Sequence, residues 1–190
     1  MTVPSPSPVL APRPHRPKAG AVVAGLAAVA AVVGVWTGFA PGGGDAVPPE
    51  RAAAMAESFR AFSGTLPAVD LGDPDERGRA QAALDLPEPQ ARAAMADAMG
   101  GRVGMAWLTL WDNFDNDGDV VQVTAGGYTR TVQIWNEPVT IALPLPPGAA
   151  IVLAGVRDGG GGITVALSTS GGELAVPPLQ PGQTVVLPVR

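Results

Sequence analysis

Apolar residues follow three different patterns along this chain, and each predicts a different kind of element. From Ala19 to Ala40 they form a run of 22 residues without a charge. A helix of about 20 apolar residues crosses the roughly 30 Å hydrocarbon core of a bilayer, so residues 19–40 read as a single transmembrane helix. From Pro48 to Gly101 the apolar positions take helical spacing. Met55, Phe59, Phe62 and Leu66 make one stripe. Asp73-Pro74-Asp75-Glu76 carries a helix start, with aspartate as N-cap, proline in the first turn and glutamate behind it. A second helix then runs to about Leu84. A third runs from about Glu88 to Met99, where Gly100-Gly101 stops it.

From Val103 the period becomes two. Ala106, Leu108 and Leu110 share one strand face, and Trp107, Thr109 and Trp111 the other. Similar alternation, or a short apolar run, recurs around Val121–Ala125, Thr131–Trp135, Val139–Leu145, Ala150–Val156, Ile163–Ser168, a short strand to Val176, and Thr184–Val189. Glycine, proline or asparagine turns separate these segments. About eight short strands spaced in this way predict an antiparallel β-sandwich of C2, immunoglobulin or jelly-roll type, mainly β in class. Nothing between them has room for the helical crossovers that parallel pairing needs. The expected organisation is a proline-rich tail over 1–18, the membrane helix over 19–40, a glycine-rich linker over 41–48, a short-helix segment over 49–101 and the β-sandwich over 102–190.

Charge gives this plan an orientation. The tail holds Arg13, Arg16 and Lys18 and no acid. The rest of the chain has nine arginines against seventeen acids and no lysine. A basic flank beside the apolar run places the tail in the cytoplasm. The expectation is a single-pass bacterial inner-membrane protein with its C-terminal domain periplasmic or extracellular. A cleaved signal peptide ending near Ala40 is the rival reading. The acidic domain repels phosphate, so nucleic acid is not an expected partner. No cysteine is present, and the one histidine, His15, lies in the tail. Cysteine-His and Ser-His-Asp catalysis and imidazole metal sites are therefore excluded from the domain.

The densest polar segment is Asp112-Asn113-Phe114-Asp115-Asn116-Asp117-Gly118-Asp119. Carboxylates at alternate positions of a flexible loop can converge on Ca²⁺, which takes six to eight oxygens. From Asn113 onward the order resembles the first half of an EF-hand or dockerin-type calcium loop. Asn113, Asp115 and Asp117 match its first three ligands, Gly118 its turn glycine, and Asp119 its carbonyl donor. The twelfth position is Thr124 where that family has a bidentate glutamate, and the flanks are strands. Glu137 or Asp158 would have to supply the missing carboxylate from a neighbouring loop, as in C2-type sandwich domains. A solvated hairpin turn accounts for the same residues.

If every connection reverses the chain, the acidic loop, Asn136-Glu137, Asp158–Gly162 and Pro177–Gln183 all lie at one end. The first strand starts at the other end, which places the acidic end away from the membrane. Trp107, Trp111 and Trp135 fall on polar-face positions. They would either stack on a ligand such as a sugar or cover the sheet beneath the helices. The expected function is a membrane-anchored envelope protein with a non-catalytic, calcium-stabilised interaction module for a protein partner. A carbohydrate or cell-wall binder using the tryptophans is the alternative, and a carboxylate-dependent hydrolase the second alternative.

Overall fold

The alternation that starts near Val103 folds into eight strands, all paired antiparallel, in a computed structural model that describes residues 46–188. Three helices come first: α1 (Pro49–Ala61), α2 (Pro74–Ala83) and α3 (Glu88–Met99). The strands are β1 (Gly104–Trp111), β2 (Val120–Ala125), β3 (Tyr128–Gln133), β4 (Val139–Leu145), β5 (Ile151–Arg157), β6 (Ile163–Thr169), β7 (Gly172–Leu179) and β8 (Thr184–Val186). They form two four-stranded sheets, ordered β4-β1-β6-β7 and β3-β2-β5-β8. The chain is thus mainly β, with two antiparallel four-stranded sheets and three helices. The expected transmembrane helix, the tail and most of the linker lie outside the described residues. Among the described residues no helix is long and apolar enough to cross a membrane.

Both sheets contribute to one buried cluster. Leu108, Leu110, Ile141, Val165, Leu167, Leu174 and Val176 come from the first, and Val121, Val123, Val132 and Leu153 from the second. Burying one aliphatic side chain contributes about 1.5–3 kcal/mol, so this shared face dominates the fold's stability. The opposite face of the first sheet is covered as well. Met105, Trp107 and Ala142 pack there with Val69, Ala80, Leu84, Ala94 and Met95, most of them from α2 and α3.

The helix starts follow the sequence. The Asp73 side chain accepts from the Asp75 N–H at 2.9 Å and caps α2. The first helix is shorter than its stripe suggests. It ends at Ala61, and Phe62 is already extended. Phe62 and Leu66 still pack on the shared core, but from extended chain. Ser63-Gly64-Thr65 disfavours helix. The backbone beyond it completes the sheet instead: the Val69 N–H donates to Met105 O at 2.9 Å and the Trp107 N–H to Pro67 O at 2.8 Å.

β7 is longer than its sequence suggests, because it runs through Pro177-Pro178. It is an edge strand, where missing N–H donors are tolerated. The register slips there: Ile163 pairs Leu179 and Val165 pairs Val176, leaving two prolines opposite Thr164. A second slip lies between Val120 and Val121 against β5. Both irregularities fall at the end of the fold where the aspartates gather.

The described chain does not begin at the end where β1 starts. Arg51, in the first turn of α1, touches Asn113 and Phe114 of the acidic loop. At the other end of the helix, Phe62 packs by Gly171 and Thr65 bonds Ser170. At about 1.5 Å per residue, this helix of 13 residues runs some 20 Å from the acidic end to the opposite end before any strand forms. The chain therefore enters the described fold beside the acidic loop.

Candidate metal centre

Strand alternation carries two aspartates past the ends of their strands with their side chains still pointing inward. Ala106, Leu108 and Leu110 face the core in β1, and Asp112 follows in phase, 1% exposed. Val121, Val123 and Ala125 face the core in β2, and Asp119 precedes them in phase, 0% exposed. The β1–β2 connection passes from one sheet to the other, and its turn at Gly118 (φ +80°) brings Asp117 back toward this pair. One carboxylate oxygen from each of Asp112, Asp117 and Asp119 lies within 4.8 Å of the other two. Two oxygens on opposite sides of a Ca²⁺ ion stand about 4.8 Å apart at 2.4 Å each, so the group has the right dimension for one ion.

The hydrogen bonds are divided unevenly among these oxygens. Asp119 is fully partnered: Oδ1 accepts from the Gly159 N–H and Oδ2 from the Thr164 N–H, both at 2.9 Å. Asp112 Oδ1 accepts from the Phe114 N–H at 3.1 Å and from the Thr164 hydroxyl. Asp112 Oδ2, Asn113 Oδ1, Asp115 Oδ2 and Asp117 Oδ1 are buried and have no partner in the protein. Each such oxygen costs roughly 1–3 kcal/mol, more when it is charged. All four are carboxylate or amide oxygens, the kind a hard cation takes, and Asp112 and Asp117 are in the clustered group.

The electrostatics agree. Burial pushes the Asp117 carboxyl above its ordinary range, and the charges of Asp112, Asp158 and Asp115 push it further. Burial likewise raises Asp119 to about 6, against the pull of its two backbone N–H bonds, with Asp117 and Asp112 adding to the rise. The three ion pairs among the described residues engage Glu88, Asp97 and Asp85. None reaches the loop. The nearest guanidinium groups bond backbone oxygens instead: Arg157 donates to Gly118 O at 3.2 Å and Arg51 to Asn113 O at 3.3 Å.

Neighbouring loops hold the acidic loop in place. The Asp112 N–H donates to Trp135 O and the Ile134 N–H to Asp119 O, each at 2.8 Å. The Asn136 N–H donates to Asn116 Oδ1 at 2.9 Å. The Gly159–Gly162 run lies close over Asp117, and Asp158 Oδ1 accepts from the Gly162 N–H at 3.2 Å. Three of the loops expected at one end are thus bonded together there, and the fourth joins through the Gly182 N–H to Gly155 O at 2.8 Å.

Of the ligands read from the sequence, Asp117 and Asp119 belong to the carboxylate group. Asn113 and Asp115 lie in the same loop, with Asp115 outside that group, and Asp158, also outside it, is close enough to act on Asp117. Glu137 is exposed and outside the carboxylate group. Asp112 and Thr164 were missed as site residues. The phase of β1 would have found Asp112. Thr164 is turned toward the aspartates by the proline bulge, which leaves no periodic signal. Of the tryptophans, Trp107 lies under the helices and donates from Nε1 to Glu76 Oε1 at 2.8 Å. Trp111 is half-buried opposite Ala166. Trp135 is 41% exposed, with its ring against Gly118. Comparison with family models, curated proteins and solved structures gives no match.

Proposed function

We propose that this chain is a membrane-anchored envelope protein whose β-sandwich is a non-catalytic, calcium-stabilised interaction module for a protein partner. The observation that carries the calcium reading is the group Asp112, Asp117 and Asp119, in which Asp112 Oδ2 and Asp117 Oδ1 are buried without a partner, beside the buried, unpartnered Asn113 Oδ1 and Asp115 Oδ2 of the same loop. Bound Ca²⁺ would satisfy them and offset the repulsion among the surrounding carboxylates. Asp119 is the third carboxylate of the group, and its two oxygens already accept backbone N–H bonds. The ligand atoms carry almost no accessible surface, which favours a structural ion over a hydrolytic site that must admit substrate. The anchor rests on the uncharged run at 19–40 and its basic flank.

Thermal unfolding of the full chain in detergent, in millimolar Ca²⁺ and in chelator, tests the metal. A ligand at 100 times its Kd adds about 2.7 kcal/mol, which at this size is on the order of 8 °C. Equal melting temperatures would leave the aspartates as a turn.

Trp135 supports the second reading, a carbohydrate or cell-wall binder, because its ring is exposed beside the acidic loop. Saturable quenching of tryptophan fluorescence by cell-wall oligosaccharides, lost in Trp135→Ala, would establish it.

A further inference from the structure

We infer that the cation held by the acidic loop also holds the first turns of α1, so that calcium controls the segment by which the chain enters the fold. This rests on the calcium reading above and adds a regulated element to it. The N-cap of α1 is Pro48, which provides no side-chain hydrogen bond. The first turn instead leans on the loop through Arg51. Its guanidinium donates to Asn113 O at 3.3 Å and lies 4.8 Å over the Phe114 ring. Phe114 stands between Asn113 and Asp115, and each of these buries an unpartnered oxygen. The Phe114 N–H donates to Asp112 Oδ1 at 3.1 Å, and Asp112 belongs to the carboxylate group, so the ring that seats Arg51 is tied to a residue that the ion would fix.

Ala52 and Met55 in the near half of α1 are buried, but only the far half reaches the core shared by the two sheets. Phe59 is part of the core shared by the two sheets, and Phe62 packs on it. Without a cation, the carboxylates around Asp117 repel one another and the loop loosens. Phe114 then moves and the uncapped turns of α1 fray, while Phe59 stays in place. Arg51 does not compete with the ion, because its partners are a carbonyl and a ring. Linkage makes the coupling reciprocal: the factor by which Ca²⁺ protects the first turns is the factor by which docked Arg51 strengthens Ca²⁺ binding. One exposed cation–π contact corresponds to about three-fold.

The test combines hydrogen exchange by mass spectrometry with Ca²⁺ titration calorimetry on the full chain in detergent, as wild type and as Arg51→Ala. In the wild type, Ca²⁺ should slow exchange at residues 52–56 by about three-fold more than at 59–61. Arg51→Ala should bind Ca²⁺ about three-fold more weakly and lose that local difference. Wild-type Ca²⁺ binding with unchanged exchange at 52–56, or wild-type affinity in Arg51→Ala, would overturn the coupling and leave the calcium site standing. Absence of Ca²⁺ binding to the wild type would overturn both.

Discussion

Gly159 approaches Asp117 so closely that a Cβ on it would lie 2.3 Å from the Asp117 carbonyl oxygen. The contact is with backbone, so no rotamer change relieves it. The same glycine donates its N–H to Asp119. The β5–β6 hairpin tip can therefore close over the acidic loop only with glycine here. Gly159→Ala should destabilise the fold by about 1–3 kcal/mol and weaken calcium binding with it. A Cβ on neighbouring Gly160 would meet only Asp117 Oδ2, at 3.4 Å, and Gly160→Ala should stay within about 0.5 kcal/mol of wild type. Urea denaturation of the two variants separates a packed lid from a loose glycine tip, which would tolerate both.

Asp117 should respond in opposite directions with and without metal. Its charge stands among those of Asp112, Asp158 and Asp115 in a partly desolvated loop. Asp117→Asn removes that repulsion at nearly constant shape. In chelator the variant should melt above wild type; in millimolar Ca²⁺ it should melt below, because a ligand charge is gone. A variant less stable than wild type in both conditions would show that the carboxylate serves the fold and not an ion.

The pH dependence has a definite sign. Asp119 titrates near 6 in the fold against 3.8 for the free side chain, mainly because it is buried. Between these values the folded chain holds a proton that the unfolded chain has released. Cation-free stability therefore falls as pH rises from about 4 to 6, by up to about 3 kcal/mol from this group. Asp117, also raised, acts in the same direction. Ca²⁺ needs the deprotonated carboxylates, so its stabilisation grows over the same range. Melting curves between pH 4.5 and 7.5 should fall with pH in chelator and show a widening calcium increment. A chelated protein most stable at pH 7 would contradict the buried state of Asp119.

Legibility in the sequence followed periodicity. Strands with clean alternation, such as β1 and β4, are readable because a buried face demands one apolar residue in two. The α2 start is readable because capping chemistry is local. The extended path of Leu66–Val69 was not, since its reason is the side of β1 that β6 leaves unpaired, 38 residues away at Ala106 opposite Ala68. The passage of β7 through Pro177-Pro178 depends on that strand being at an edge, which is a property of topology. At the site, the acidic loop declared itself by composition, whereas the contribution of Thr164 arises from a bulge, and the docking of Arg51 from the direction of a helix.

Trp107 and Trp135 offer the sharpest division between structural and binding roles. Trp107 Nε1 donates to Glu76 Oε1, which ties the outer face of the first sheet to α2. Trp107→Phe keeps most of the ring but leaves that carboxylate oxygen without its donor, and should cost about 1.5–3 kcal/mol. The variant's exchange should accelerate chiefly in α2. Trp135 projects from the acidic end with much of its ring in solvent, so Trp135→Phe should change stability by no more than about 0.5 kcal/mol. If Trp135→Phe nonetheless abolishes binding of an oligosaccharide or a partner protein, the exposed ring is a recognition surface. If Trp107→Phe is the variant that abolishes it, the helices over the first sheet form the binding face, and the acidic end serves to hold the fold together.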